Sequence, residues 1–351
     1  MRLCRVRTET DLSQLDTRKA WVRLTKVRDS ESDAEIVEQF EAKALEPGDK
    51  ASLVGAATQA LVRNVRLVRR DLKPLTDDDT ALLAIKKALP GNGWVELVET
   101  PEQSACFVVR LSEDGAHYEI CTPDYEPIRL NPPLAVADEH SPQALVRRLV
   151  HLAKYQAVLE LENNAPGAPL QKKLRVELIA LPDDFDTEQY PWPEPQPFRE
   201  LVPTIRPRQW ICLRITNGSS QPVNVAVLDL QPAWGIAQAY PDNSDYEELD
   251  PGGEPLVIPM KASLPEGYAS GVDTLKVLAT VKPTSFRQLT LPRLDQQIPH
   301  FQPRKAEDPL EQLLDAVSAD RPPSRDASAV TRPGREWASA KVQVRIEEKP
   351  K

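Results

Sequence analysis

The stretch Gly271-Val272-Asp273-Thr274-Leu275-Lys276-Val277-Leu278-Ala279-Thr280 sets Leu275, Val277 and Ala279 at every second position, the period of a strand with one buried face. The same period returns in Leu174-Val176-Leu178, Ile211-Leu213-Ile215, Val223-Val225-Val227 and Val342-Val344-Ile346, with polar or smaller side chains between. Turn signals at Asn217-Gly218, Pro251-Gly252-Gly253 and Glu266-Gly267 separate these runs. The pattern predicts an antiparallel, immunoglobulin-like β-sandwich over residues 170–291, completed by a strand within 336–347. The chain has 34 prolines, and seven lie between Leu181 and Arg208. Proline donates nothing to a ladder, so a long semi-extended loop is expected there. Residues 292–335 are also rich in proline and charge, which predicts a largely mobile insertion carrying one short helix at Asp308 to Val317.

Upstream, the period changes. Ala20 to Val27 and Glu35 to Phe40 read as strands of a small β unit over residues 1–60, punctuated by Glu46-Pro47-Gly48-Asp49. A strand over Val62 to Val68 places Val65 and Leu67 on one face and Asn64 and Arg66 on the other. Asp77 to Asp79 then suit the positive end of a helix that stops at Pro90-Gly91. Ser141-Pro142 starts a longer helix, to about Glu162, with Leu145, Leu149, Leu152 and Leu159 at helical spacing. Residues 61–165 therefore read as an α+β layer module, and the whole chain as α+β followed by all-β.

Composition narrows the function classes. The 351 residues are 40% hydrophobic and 28% charged, with a net charge of −9. That sign argues against nucleic-acid binding through the overall field. No apolar run reaches membrane-spanning length and the opening Met1 to Arg7 lacks a signal-like apolar stretch, so a soluble cytoplasmic protein without membrane contact is expected. Four scattered cysteines and four histidines give neither a disulfide framework nor a zinc pattern. Dinucleotide, P-loop, zincin and nucleophile-elbow motifs are absent from the sequence, so no cofactor, metal ligand or catalytic residue is assigned.

Several clusters remain. The hairpin Ala105 to Leu111 and Ala116 to Cys121, joined by Ser112-Glu113-Asp114-Gly115, is expected to register Leu111 against Ala116. Phe107, Val109, Leu111, Tyr118 and Ile120 then share the core face, while Arg110, His117 and Glu119 share the other with Cys106 and Cys121, placed opposite each other. Such a register would permit a cross-strand disulfide, which a reducing compartment disfavours. Cys106, Cys121 and His117 can be read as nucleophile and base or as a partial zinc site, and otherwise as packed thiols beside a surface histidine. Arg147, Arg148, His151 and Lys154 line the polar side of the long helix; with Arg63, Arg66, Arg69 and Arg70 they form either a basic face for nucleic acid or an acidic partner, or a solvated face. Asp242, Asp245, Glu247, Glu248 and Asp250 offer oxygens that can hold calcium or merely solvate a turn. Trp192, Trp210 and Trp234 can line a groove or pack a core.

Three stretches resemble the region downstream of the peptidase domain in bacterial caspase-like proteins, the orthocaspase and metacaspase-related group of peptidase C14. They are Leu149-Val150-His151-Leu152-Ala153-Lys154-Tyr155 with Leu161-Glu162-Asn163, Leu213-Arg214-Ile215-Thr216-Asn217 running into Pro222 to Leu230, and Gly271 to Thr280. The latter two resemble a bacterial β-sandwich domain of unassigned function, with Tyr240-Pro241 and Leu249-Asp250-Pro251-Gly252 in its connecting loops. The likeness covers roughly residues 90 to 290, and Trp337 to Ile346 fits the same pattern. Caspase-like catalysis pairs a His-Gly with a Cys-x-Gly. Here the histidines precede Tyr118, Ser141, Leu152 and Phe301, and no cysteine is followed two residues on by glycine. The resemblance thus implies a non-catalytic accessory region that positions or regulates a cysteine peptidase, in cis or in trans, or recruits its targets. Protein contact is the implied mechanism, with sandwich edges accepting a strand and the loop around Pro191, Trp192 and Pro193 able to supply one. The alternatives are a hydrolase using Cys106 or Cys121 with His117, and a surface binding module.

Overall fold

The computed structural model describes residues 2–6, 20–27, 32–39, 50–54, 61–71, 75–89, 92–98, 104–163, 168–182, 184–188, 196–294, 296, 309–318 and 336–348, the first four segments as backbone only. It divides into two units, Met1–Lys154 with Pro303–Arg332 and Tyr155–Gln302 with Pro333–Lys351. Sheets dominate and helices are few.

In the first unit, β1 (Arg2–Val6), β2 (Ala20–Val27), β3 (Ser32–Gln39) and β4 (Lys50–Val54) form an antiparallel sheet in the order β3-β2-β1-β4. A second, mixed sheet centres on β5 (Arg63–Leu67), which pairs in parallel with β6 (Val95–Leu97) and β7 (Phe107–Leu111). Antiparallel β8 (His117–Cys121) and β9 (Leu134–Ala135) extend it. The helix α1 (Thr80–Ala88) carries the crossover from β5 to β6. Its N-cap residue, Asp79, turns its carboxylate back to accept from the Thr76 N–H at 2.7 Å, so the expected acidic first turn lies just outside the helix. Val65, Leu67, Phe107, Val109, Tyr118 and Ile120 are buried on one face, as the alternation predicts.

The hairpin register differs from expectation by two residues. Leu111 faces Tyr118 and Val109 faces Ile120, and Cys121 sits opposite Val108 instead of Cys106. The loop accounts for the shift. Asp114 Oδ1 accepts from Ser112 Oγ at 2.6 Å and from the Ala116 N–H at 2.9 Å, and Gly115 takes a left-handed φ of 70°. Those contacts extend the turn until the Ser112 N–H meets His117 O at 2.8 Å. A two-residue slip preserves side-chain faces, so the core face stands while the Cys106–Cys121 pairing does not.

The helix α2 (Ser141–Glu160) begins with Ala144 N–H bonding to His140 O, which makes His140 the cap residue, one position earlier than expected. The later helix, α3 (Pro309–Ser318), falls where the sequence placed it, but it is packed: Leu310, Leu314 and Val317 are buried, and its segment groups with the first unit.

Among the described residues, the second unit holds two sheets. One is built from β10 (Leu174–Ala180), β11 (Gln196–Pro197), β13 (Trp210–Asn217) and β17 (Leu256–Lys261) in the order β11-β10-β13-β17. The other runs β12 (Thr204–Ile205), β19 (Trp337–Glu347), β18 (Ser270–Thr280), β14 (Val223–Leu230), β15 (Ile236–Tyr240), with β16 (Glu247–Leu249) also on β14. Leu178, Ile211, Leu213, Ile215 and Ile258 of the first sheet share one core with Val223, Val225, Val227, Val277, Val344 and Ile346 of the second. All five alternating runs read from the sequence are strands here. The loop expected between Leu181 and Arg208 is different in its second half, where β11 pairs antiparallel with β10 and β12 pairs parallel with β19. Prolines are tolerated because both are two-residue edge strands.

The turn after β14 seats closely on β18. A Cβ at Gly271 would lie 2.7 Å from Pro232 Cβ, too near for any real contact. Gly271→Ala is therefore expected to destabilise the protein by about 1–3 kcal/mol through overpacking, measured by denaturant unfolding with far-UV circular dichroism.

Candidate functional site

Three of the four basic residues proposed on the polar side of α2 are buried. Arg147 is exposed, whereas Arg148, His151 and Lys154 are 8%, 1% and 2% exposed. Arg148 Nη2 donates to Pro132 O at 2.7 Å. Lys154 Nζ donates to Ser318 O at 3.2 Å, a carbonyl of the last turn of α3, and lies 5.6 Å over the Trp94 ring. The solvated basic face is thus replaced by cations that tie α2 to neighbouring segments. The early arginines disperse: Arg63 is buried, Arg69 pairs with Asp71 at 3.2 Å, and Arg70 approaches Glu113 at 3.7 Å. Pro191, Trp192 and Pro193 lie outside the described residues.

The Cys106–His117–Cys121 cluster does not gather into a nucleophile and base. His117 pairs across to Ala135, Cys121 is fully buried with Val68 and Val108, and Cys106 sits before β7 with its N–H on Asn64 O. Burial pushes the Cys121 thiol up despite nearby Arg110, which instead donates to Glu119 at 2.8 Å. In the second unit Cys212 packs under Phe185, and burial pushes its thiol up to about 11. Protonated thiols of this kind are poor nucleophiles. Treatment of the native protein with iodoacetamide at neutral pH is expected to leave Cys121 and Cys212 unmodified until denaturant is added, read by peptide mass mapping.

The acidic loop already has a cation of its own. Arg287 Nε donates to Asp245 Oδ1 at 2.9 Å, and its Nη2 donates to Ser244 O at 2.9 Å and Asp242 O at 3.1 Å. Among the described residues no group of three or more His, Cys, Asp or Glu side chains is placed to hold a metal ion. No helix among them is long and apolar enough to cross a membrane. The tryptophans pack: Trp210 meets Phe185 edge-on at 5.6 Å and Trp234 meets Tyr155 at 5.0 Å.

The polar groups that sequence reasoning missed sit inside apolar strands of the second unit. Lys276 Nζ donates to Leu159 O at 2.8 Å near the end of α2, while Asp229 and Asp273 each keep one carboxyl oxygen buried and without a hydrogen bond. The available signal was a charge between apolar neighbours, as in Leu228-Asp229-Leu230 and Leu275-Lys276-Val277. A second omission is Leu201, 98% exposed, beside Val202 at 37%, on the segment between β11 and β12.

Comparison with known proteins adds nothing to these assignments: no family model matches the chain, and neither a curated protein nor a solved structure matches it.

Burial first, and the Lys341 charge second, pull Lys276 down to about 8 from an ordinary 10.5, against Glu162 and Glu160. Between those two values the unfolded chain binds a proton the folded chain lacks, so this residue makes stability rise with pH there. Urea melts from pH 8 to 10 are expected to show that rise in the wild type and to lose it in Lys276→Met.

Proposed function

We propose that this chain is a non-catalytic accessory region of a bacterial caspase-like system, which positions or regulates a cysteine peptidase or recruits its targets through protein contact. The observation that carries the contact is the segment Gln196–Ile205. Its ends are held by the edges of the two sheets, while Leu201 and Val202, the exposed large hydrophobic residues among those described, project between them. Buried Ile205 and the bond from Arg345 N–H to Pro203 O fix the base of this projection. An apolar pair presented on a fixed base loses little entropy on docking. The likeness of residues 149–163, 213–230 and 271–280 to caspase-associated regions supplies the kind of partner, and the immunoglobulin-like strand arrangement belongs to the same reading.

The thiols support a role without peptide-bond attack, since both Cys121 and Cys212 are shifted toward the protonated form by burial. Short strands at the sheet edges fit a binding mode in which β11 and β12 are supplemented by a strand from the partner. In this reading the proline-rich segment acts through its second half, Gln196–Ile205.

Capture of a bacterial caspase-like peptidase domain by the immobilised chain tests the proposal. Leu201→Asp with Val202→Asp is expected to weaken binding about tenfold or more, as for loss of one apolar anchor. Glu254→Lys, exposed on the loop before β17, is expected to leave it unchanged. Equal capture by the double variant removes the docking role of this segment, and no capture by the wild type removes the reading itself.

A further inference from the structure

Asp229 and Asp273 lie on hydrogen-bonded neighbours, β14 and β18. Asp229 registers against Leu275, which puts Asp273 two residues along on the same face, the face that carries Val227 and Val277 into the core. At that diagonal the Asp229 charge acts on the Asp273 carboxyl. Their strand neighbours are apolar: Ala237 of β15 stands opposite Asp229 and Val344 of β19 opposite Asp273. Lys276 belongs to the opposite face of β18. From α2 the titratable group is the Tyr155 phenol, raised by burial first and then by the two aspartates. Asp229 Oδ2 accepts from Gln231 Nε2 at 3.1 Å, and the two Oδ1 atoms have no donor.

A single turn adjoins this pair, bonded to Asp229 through Gln231. Gln231 N–H bonds to Gly235 O at 2.9 Å and Trp234 N–H to Gln231 O at 3.0 Å. Pro232 rests against Gly271, on the same face as Asp273. Tyr155 holds the turn from above, donating to Gln231 O at 3.3 Å with its ring edge-on to Trp234. The turn therefore stands against two half-buried carboxyls whose Oδ1 atoms are buried without a donor, and it supplies Gln231 Nε2 to Asp229 Oδ2.

We propose that Asp229 and Asp273 form a proton-operated latch for the turn Gln231–Gly235, in which a proton held by the pair keeps the turn seated and its release to solvent lets the turn lift from the sheet. This goes beyond the accessory role and does not depend on it. Burial first, then the Asp229 charge, raise Asp273 to about 8, and burial raises Asp229 against the Gln231 bond. With the turn lifted, water reaches both carboxyls and they return to the ordinary range. The seated form then holds one proton more than the lifted form, so opening is favoured about tenfold per pH unit until the seated pair itself ionises.

Amide hydrogen exchange of the full chain, corrected for intrinsic pH effects, tests this. Protection of the Gln231 and Trp234 amides is expected to fall about tenfold per pH unit from about pH 5.5 to 7.5 and to level off above about 8.5. Protection in the β18–β19 ladder stays constant. Asp273→Asn and Asp229→Asn are expected to flatten the profile, and Lys276→Met to leave it as in the wild type. PH-independent protection in the wild type, an unchanged fall in both Asn variants, or a parallel fall in the ladder overturns the latch. Should the Asn variants not fold, the infrared carbonyl band of a protonated carboxyl in the wild type decides: present near pH 6.5 and lost by about pH 9 supports it, and absent near pH 6.5 overturns it.

Discussion

β14 over Val223–Leu228 and β18 over Thr274–Thr280 are buried on both faces, and the second unit is organised by that constraint. One face enters the core shared with β10, β13 and β17. The other receives the end of α2 and the residues after it, through Lys276 Nζ to Leu159 O, Ser339 Oγ to Leu161 O at 3.0 Å and Asn163 Nδ2 to Trp337 O at 2.7 Å. The last carbonyls of a helix have no partner within it. Here strand side chains supply donors, and one of them is a cation where the helix dipole favours one. A sheet with a wet face would leave such groups to water; this one must satisfy each individually.

Periodicity revealed which residues share a face, and was blind to what lies against that face. Each of the five alternating runs is a strand, and Val65, Phe107, Val109 and Ile120 are all buried. The hairpin register escaped because slipping by two residues leaves every side chain on its own side, so pattern carries no information about it. Only the local bonds of Asp114 and Gly115 set the loop length. The polar side of α2 was misread for a related reason. A helical wheel places Lys154 opposite the leucines and Arg148 at the edge of their stripe, yet cannot show that Pro132 and the end of α3 supply carbonyls there. Lys154 comes from a position 164 residues away from its acceptor, Ser318, a separation no local rule spans.

Among the described residues between Leu181 and Arg208, the prolines leave room for short strands. Two-residue bridges at β11 and β12 use the few backbone groups that proline leaves, and they cover part of β10 and β19. Leu201 stands exposed between two anchored bridges while Pro203 and Ile205 are buried at the base.

The charged residues of β14 and β18 separate by what geometry offers them. Lys276 meets a helix terminus, so its proton is retained at neutral pH and the cost of burial is offset by a charge-assisted bond. Asp229 and Asp273 meet apolar neighbours, a glutamine amide and a phenol, none of which neutralises a carboxylate. Burial therefore raises both carboxyls, and the Asp229 charge raises Asp273 further, to about 8. A pair that holds one proton sits at the end of a core without mutual repulsion, and becomes a repelling pair once that proton is lost. The adjoining turn, anchored by Tyr155 and by Pro232 over Gly271, is the element positioned to respond to that difference.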